Sequence, residues 1–506
     1  MGWFGKKSDH PMADIKSAQA LLDEIPKGDA LKALPELTTW VESVREQAEF
    51  RLDHQLAVLR LLDETARPFE RKLMREYFAS GTLSTFQENR LWMALNEFFG
   101  QVAHAYFDVL VRYRNGDKGS SAIKPVLPLV AARGICAVAS KLKCAAARYA
   151  LVDPAMWGCL AEFYSHAATQ QYLNERVSLY SGLSANTSVR GEFAAVLMWY
   201  ASCASTLNRL HLHLAERLTS HLSENFTVET QRGPSSLFGF DLLHFAPPVR
   251  VNMENTLPPG LLFIGVNNLQ PHIEALLKTL EKNIVPEEIH LGGTCEADAM
   301  SDVVRHLAEC WTFPPPMRRN TRHNIKVNLS VANGFSKIME QTDVGLNFGA
   351  DTSVTWDVED ISSGGFRSIL PESRINGMAI GSLIGIKPER LDNWGVGIVR
   401  RLSRDQQNNL HVGVEILTNQ ITGVRLHEPS MHEEQSAMWL NSPGDDSGEA
   451  KLLMSHDTFS SSRSLHVRLD DKNYLLIPLK LLERGADYDL ARYRRIEEDT
   501  SSDEAY

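Results

Sequence analysis

A basic stretch just past the middle of the chain decides how the remaining sequence is interpreted. Residues 317–322 read Met-Arg-Arg-Asn-Thr-Arg, and residues 360–365 read Asp-Ile-Ser-Ser-Gly-Gly. Consecutive prolines precede the first stretch, and an alternating apolar and polar run at 325–331, the pattern of a β-strand, follows it. A strand-like run at 366–370 follows the second stretch. The sequence therefore predicts two loops that border β-strands.

The residue types in these two motifs suit an anionic ligand that carries a guanine base. Arg318 and Arg322 are permanently charged, and a planar guanidinium donates to phosphate oxygens or to guanine O6 and N7, or stacks on a flat ring. The Asp360 carboxylate accepts from the N1–H and amino edge of guanine. Ser362 serves either phosphate or base, and Gly365 lets the backbone approach closely. The set predicts a guanine-nucleotide site.

Each motif has a bland interpretation when it stands alone. Two arginines four positions apart most often belong to a solvated surface, and Asp-x-Ser-x-x-Gly is an ordinary turn. Their order, their spacing and the strand patterns beside them favour a binding site over a solvated face.

In this order and setting, the two motifs resemble those of the PilZ domain, a small β-barrel receptor for the bacterial second messenger cyclic di-GMP. The resemblance covers residues 313–425. It implies two arginines that hold phosphates and guanines, a carboxylate and a hydroxyl that read a guanine, and a glycine at a close approach: Arg318, Arg322, Asp360, Ser362 and Gly365. Arg319 lies in the same loop as a second-rank ligand-binding candidate.

Two departures from the family pattern affect what the resemblance implies. The gap between the motifs is longer than usual, and residues 332–342 are interpreted as an enlarged polar hairpin loop. The residue before the first arginine bears on ligand stoichiometry in the family. Here it is Met317, which is uncharged, and this leaves open whether one or two molecules of cyclic di-GMP bind.

Composition places the chain among ordinary globular proteins. The 506 residues allow several domains, and 43% hydrophobic content is typical of packed cores. A net charge of −11 argues against general nucleic-acid binding, which needs a basic surface. The six cysteines form no Cys-x-x-Cys pair, so we expect reduced thiols and no zinc site.

Hydropathy indicates a cytoplasmic protein without a membrane span. The N-terminus lacks the apolar run of a signal peptide. The most apolar segment, 126–150, is interrupted by Arg133, Lys141, Lys143 and Arg148, which predicts a buried helix.

The first part of the chain, residues 13–222, has helical periodicity throughout. Six to eight antiparallel helices are expected, with a capping box at Ser84, a helix that begins at the pair Asp153-Pro154, and one long helix over 189–222. His211 and His213 lie on different helix faces, which suits a solvated side better than a metal site. No nucleophile with a neighbouring base is visible.

The remaining segments are predicted as follows. Residues 223–312 form a small α/β connecting element, with strands at 261–266 and 289–291 and helices at 271–282 and 297–310. Residues 313–425 form the PilZ-like antiparallel β-barrel, which includes a hairpin of 394–400 with 411–417. An appended β element occupies 426–496, and the acidic tail, 497–506, is expected to be disordered.

Together these patterns predict a multidomain α+β protein, and the resemblance to the PilZ domain implies a receptor and not an enzyme. It would bind cyclic di-GMP without a cofactor or metal, and would couple binding at the arginine loop to domain rearrangement and to a protein partner of the helical domain. Two alternatives stay open. One is a ligand-free adaptor in a motility or surface-assembly machine, and the other is an enzyme whose site lies in the helical or α/β region.

Overall fold

The computed structural model describes residues 9–79, 83–181, 186–251, 260–291, 293, 295–312, 323–342, 353–371, 378–428, 434–441 and 447–498. The chain divides into two compact units, Met1–Met317 and Arg318–Tyr506. Helices dominate the first unit and antiparallel strands the second. The predicted multidomain α+β class is confirmed.

Helices form most of the first unit. Within its described residues, nine α-helices precede the first strand: Ile15–Asp23 (α1), Ala30–Arg45 (α2), Leu52–Ala79 (α3), Thr85–Arg114 (α4), Ser120–Ile123 (α5), Leu127–Ala146 (α6), Pro154–Thr169 (α7), Val189–Cys203 (α8) and Arg209–His221 (α9).

Local sequence determines where several of these helices begin. The Ser84 side chain accepts from the Gln87 amide at 3.3 Å, and the Gln87 side chain accepts from the Ser84 amide at 3.1 Å, so the predicted capping box is confirmed. Asp153 accepts from the Ala155 amide at 2.9 Å and caps the helix that begins at Pro154.

The prediction of one long helix over 189–222 is wrong. α8 ends at Cys203, and α9 begins at Arg209. The Asn208 side chain accepts from the His211 amide at 2.9 Å, which is a helix N-cap, and the Thr206 hydroxyl bonds back to the Ser202 carbonyl at 3.1 Å. These polar side chains satisfy the backbone groups that a break exposes, although the apolar periodicity continues across it.

The most apolar segment packs as a core helix. Among the described residues, one stretch, Ser120–Ala146, is long and apolar enough to cross a membrane by length and composition, and 61% of its most apolar window is buried within the protein. Its charged residues Arg133 and Lys143 are buried at 2% and 0% exposure, and both bond to carboxylates of neighbouring helices. Such pairing is what a polar group needs inside a protein core.

The first unit also contains a four-stranded antiparallel sheet. Its strands are Phe226–Glu229 (β1), Ser236–Asp241 (β2), Val249–Arg250 (β3) and Leu261–Val266 (β4), in the order β1-β4-β2-β3. Helices Gln270–Leu280 (α10) and Ala297–Cys310 (α11) follow, close to their predicted positions. The predicted strand at 289–291 is wrong, because Glu287–Ile289 is a turn of 3₁₀ helix and His290 has a left-handed backbone with φ 51°.

The sheet shares one hydrophobic core with the helices before it. The Phe240 ring lies 6.2 Å from Trp157 and 5.6 Å from Phe193, and Trp311 donates to the Ser202 hydroxyl at 2.9 Å. The α/β element therefore packs as part of the helical unit.

The second unit contains two closed antiparallel barrels of six strands each. The first barrel has the order β10-β7-β6-β5-β8-β9 and consists of His323–Asn333 (β5), Val354–Ser362 (β6), Gly365–Leu370 (β7), Leu383–Pro388 (β8), Gly395–Arg404 (β9) and Leu410–Thr418 (β10). β9 and β10 pair as the predicted hairpin.

Residues 332–342 lie at the start of a long connection between the paired strands β5 and β6, as the predicted enlarged hairpin requires, but the prediction that they form a polar loop is wrong. β5 continues to Asn333, and Phe335–Met339 forms a short helix, α12. Phe335, Ile338 and Met339 are buried in a core shared by the two barrels. Their three-residue and one-residue spacing puts them on one side of a helical turn, so the segment covers apolar surface.

The appended β element is the second barrel, with the order β11-β12-β13-β16-β15-β14. Its strands are Thr422–His427 (β11), Gln435–Trp439 (β12), Glu449–Ser455 (β13), Leu465–Leu469 (β14), Lys472–Arg484 (β15) and Tyr488–Glu498 (β16). The barrel begins at Thr422, so the predicted boundary at 425/426 falls inside β11. β16 includes Glu497 and Glu498, and the rest of the predicted tail lies outside the described residues.

Candidate functional site

The Asp-x-Ser-x-x-Gly motif forms the hairpin between β6 and β7. Ser362 pairs with Gly365, which leaves Ser363 and Gly364 as a two-residue connection. The Ser362 hydroxyl donates to the Gly365 carbonyl at 3.1 Å, and the Ile416 amide donates to the Gly364 carbonyl at 3.1 Å. The turn is therefore stabilised by one bond within the hairpin and one bond from β10. The Ser362 oxygen keeps its acceptor lone pairs for a ligand.

Gly365 is required by close packing of the backbone. It is the partner of Glu415 on β10, and a Cβ built on it would lie 2.2 Å from the Val414 carbonyl oxygen. The role of Gly365 in ligand binding stays a prediction, and the structure shows a separate need for glycine, because strand β10 lies against the position of a Cβ.

Replacing Gly365 with alanine is expected to destabilise the first barrel by about 1–3 kcal/mol, the usual cost of overpacking a filled site. The added methyl group must displace the Val414 carbonyl, so amide hydrogen exchange should become faster in β7 and β10. Gly28→Ala is the matched control, because nothing lies within 4 Å of a Cβ at that position. Equal exchange in the two variants would contradict the packing argument.

Asp360 lies on β6 opposite an arginine that belongs to neither of the two sequence motifs. Its partner in the register is Arg367, whose Nε lies 3.4 Å from the Asp360 Oδ2 and whose Nη2 donates to Glu359. Asp360 is 8% exposed. A bulge between Val358 and Asp360 shifts the register, and bulges commonly re-aim side chains beside binding sites. Arg367 thus orients the Asp360 carboxylate.

The strand order places the start of β5 next to this hairpin. Arg318, Arg319 and Arg322 lie outside the described residues. His323, which is bonded to Arg322, begins β5 and is the partner of Ile361. The chain that leaves the arginine loop therefore enters the strand beside the Asp360–Ser362 segment.

A chain of ion pairs connects β10, the strand next to the β6–β7 hairpin, to the second barrel. Glu415, the partner of Gly365, accepts from Arg400 at 2.7 Å. Arg400 donates both terminal nitrogens to Glu483 at 2.7 and 2.6 Å, and Glu483 accepts from the Tyr488 hydroxyl at 2.9 Å. A bidentate arginine–carboxylate contact fixes the relative orientation of the two side chains as well as pairing their charges.

The helical unit contains a buried polar cluster at Asp63. This carboxylate accepts from the Tyr106 hydroxyl at 2.6 Å and from Tyr180 at 3.2 Å, and Arg133 lies 3.3 Å away. The Tyr180 ring lies under the guanidinium groups of both Arg67 and Arg133, at 4.2 and 4.5 Å. Burial raises the pKa of Asp63, although Arg133 opposes the shift. These contacts satisfy the Asp63 carboxylate and the two tyrosine hydroxyls, whereas the buried Nε of Arg67 has no hydrogen-bond partner among the described residues.

A second buried cluster corrects the interpretation of His213 as part of a solvated helix side. His213 is 6% exposed, and its Nδ1 lies 2.7 Å from the Lys143 Nζ, which also donates to Glu216 at 2.5 Å. Burial lowers the pKa of Lys143 to about 8 and that of His213 to about 3. Alternating apolar residues in α9 do not reveal this contact, because the lysine comes from α6.

Among the described residues, no group of three or more histidine, cysteine, aspartate or glutamate side chains has the arrangement of a metal site. Cys144, Cys159 and Cys203 are buried as free thiols. The polar clusters of the helical unit therefore resemble packed interior networks.

Comparison with known families gives a match in the helical unit. Residues 16–234 match the family described as cyclic-di-GMP receptor FimW, N-terminal domain. The matched part is less than half of the chain, begins within α1, continues through α9 and β1, and ends before both barrels. No curated protein matches the chain.

Proposed function

We propose that the protein is a receptor for cyclic di-GMP and that the first barrel is its PilZ-like ligand-binding domain. The register that pairs His323 with Ile361 carries the proposal, because it brings the end of the arginine loop to the Asp360–Ser362 strand of a closed six-stranded barrel. The match of residues 16–234 to the N-terminal domain of a cyclic-di-GMP receptor family independently supports the receptor function, and it ends before the first barrel.

In this proposal, each candidate residue contacts a particular part of cyclic di-GMP or supports a residue that does. Arg318 and Arg322, with Arg319 beside them, neutralise the phosphates and stack on or bond to the guanines. Asp360 accepts from the donor edge of a guanine, and Arg367, whose Nε lies 3.4 Å from its Oδ2, orients that carboxylate. Ser362 adds a hydroxyl next to Asp360 on the same face of β6, since alternate residues of a strand share a face. Gly365 lets β10 support the turn.

The role is binding and signalling rather than catalysis, in the cytoplasm and with a protein partner for the helical unit. The candidate residues complement the charge and the base of the ligand, and none of them is assigned the role of a nucleophile or a general base. Ordering of the arginine loop by the ligand supplies the conformational change that a receptor transmits.

Calorimetric titration of the full-length protein with cyclic di-GMP, with GTP and cyclic di-AMP as controls, tests the function. Selective binding at micromolar affinity or better is expected, and the titration also gives the number of ligands bound. Absence of binding, or equal binding of all three nucleotides, would reject the receptor and favour the adaptor.

The ion-pair chain through Arg400 is expected to transmit ligand binding to the second barrel. Cyclic di-GMP should slow amide hydrogen exchange in β10 and also in residues 483–490. In an Arg400→Ala variant, the effect in β10 should remain and the effect in 483–490 should be lost, because the contact between Glu415 and Glu483 runs through this guanidinium.

Arg425→Ala is the control for this experiment, because Arg425 pairs with Glu434 within the second barrel at 3.2 Å and makes no ion pair with the described residues of the first barrel. Protection that stays confined to the first barrel in the unaltered protein would contradict the transmission route without affecting the binding site itself.

A further inference from the structure

The outer surface of the second barrel carries three cations side by side. Lys451 on β13 is the register partner of Arg492 on β16, and Arg492 is the partner of Lys480 on β15. Directly paired residues of neighbouring strands project from the same face. We call these three residues the cationic row. The neighbouring positions Leu452 and Ala491 are fully buried in the barrel core, so the row faces outward.

The positive charge of the cationic row is only partly balanced. Arg492 lies 3.3 Å from Glu449, whereas the structure records no ion pair for Lys451 or Lys480 within the described part of the second barrel. Arg494, exposed on the same strand face, is the register partner of Glu449. The buried Nε of Arg492 has no hydrogen-bond partner among the residues that the structure describes. Like charges directly opposite each other are destabilising, so the row favours binding of added carboxylates.

Exposed aliphatic side chains border the cationic row. The register of β15 with β16 is interrupted between Pro478 and Lys480 and again between Leu481 and Glu483. These bulges leave Leu479 and Leu482 on either side of Lys480, with 39% and 40% of their surface exposed. The two leucines place aliphatic surface directly beside the positive charge of Lys480, so this surface can contact a partner that carries both carboxylates and aliphatic groups.

We propose that this face of the second barrel is a docking surface for an acidic protein segment that carries aliphatic side chains. Carboxylates of the partner complement the cationic row, and its aliphatic groups cover Leu479 and Leu482. A nucleic acid supplies phosphates but no aliphatic groups. A lipid surface is a poorer fit, because the leucines lie along a strand rather than on a protruding loop with tryptophan or tyrosine anchors.

The test uses the full-length protein and a short fluorescent peptide of alternating glutamate and leucine. Its glutamine–leucine counterpart and vesicles of phosphatidylglycerol are the comparison probes. Binding of the acidic peptide is expected to weaken by about tenfold or more in a Lys451→Glu/Lys480→Glu variant, the scale of close charge pairs at an interface. Lys27→Glu/Lys282→Glu, two exposed lysines of the first unit, changes the net charge equally and should bind as the unaltered protein does.

A photo-crosslinking residue tests where the peptide binds. In place of Leu482 it should capture the acidic peptide, and in place of the exposed Leu391 of the first barrel it should not. Equal binding of the glutamate and glutamine peptides, loss of binding in both lysine variants alike, or preference for the vesicles over the peptide would overturn the proposal. Thermal unfolding of each variant shows whether weaker peptide binding comes from the changed docking surface or from loss of the folded structure.

Discussion

Replacing both Arg318 and Arg322 with alanine should lower the affinity for cyclic di-GMP by at least about a hundredfold, because each charge-assisted hydrogen bond is worth about 1.5–3 kcal/mol. Each single replacement should cost at least about tenfold on the same scale, since tenfold corresponds to about 1.4 kcal/mol. Loss of stacking on guanine adds to both. Calorimetric titration of the double variant measures the effect. Asp360→Ala should also weaken binding, because it removes the carboxylate that accepts from the donor edge of a guanine.

The matched control is Arg425→Ala/Arg468→Ala, which removes the same charge from exposed ion pairs of the second barrel. If the effect came from net charge alone, the control would lose as much affinity as the test variant. Unchanged affinity in the Arg318→Ala/Arg322→Ala variant would reject the assignment of the arginine loop, and titration of Ser362→Ala would then show whether the β6–β7 turn binds without it.

Replacing Arg133 with alanine should destabilise the helical unit by about 3–5 kcal/mol, the usual cost of removing one partner of a buried ion pair. Arg133 is 2% exposed and bonds to Glu64 at 2.7 Å as well as lying beside Asp63. Its loss leaves the buried Asp63 carboxylate with fewer donors in a low-dielectric site. Chemical unfolding followed by the helical circular dichroism signal measures the change.

Arg176→Ala is the control, since Arg176 pairs with Glu224 at 2.6 Å but both side chains are more than half exposed. Exposed pairs contribute about 0–1 kcal/mol, so the control should unfold almost as the unaltered protein does. A double Arg133→Met/Asp63→Asn variant should recover part of the stability, because it removes the unpaired charge together with its partner. Equal unfolding of the Arg133 and Arg176 variants would contradict the role assigned to the buried cluster.

Short-range rules explain which features the sequence predicted well. A two-residue connection at 363–364 determines the pairing of Ser362 with Gly365, and counting back along both strands pairs Asp360 with Arg367. Arg367 was therefore available from the sequence, although the motif alone did not single it out. The capping box at Ser84 depends only on residues within one helical turn, and it was predicted correctly.

Longer-range packing explains the errors. Apolar residues recur at helical spacing through both α8 and α9, so periodicity does not separate two helices from one. The environment of His213 depends on Lys143, 70 positions earlier. The helix α12 forms where a polar loop was expected, because burial of Phe335 and Ile338 in the shared core outweighs the local polar composition.

The sequence by itself determined the residue types of the proposed ligand site: Arg318 and Arg322 four positions apart, and a carboxylate, a hydroxyl and a glycine in one hairpin. These follow from residue type and short spacing. Only the tertiary structure decided that the Val414 carbonyl lies against Gly365, that Arg400 joins Glu415 to Glu483, and that Lys451, Arg492 and Lys480 form one row. Each of these contacts joins different strands, and strand register in a closed barrel is set by the packing of the whole barrel rather than by any local segment.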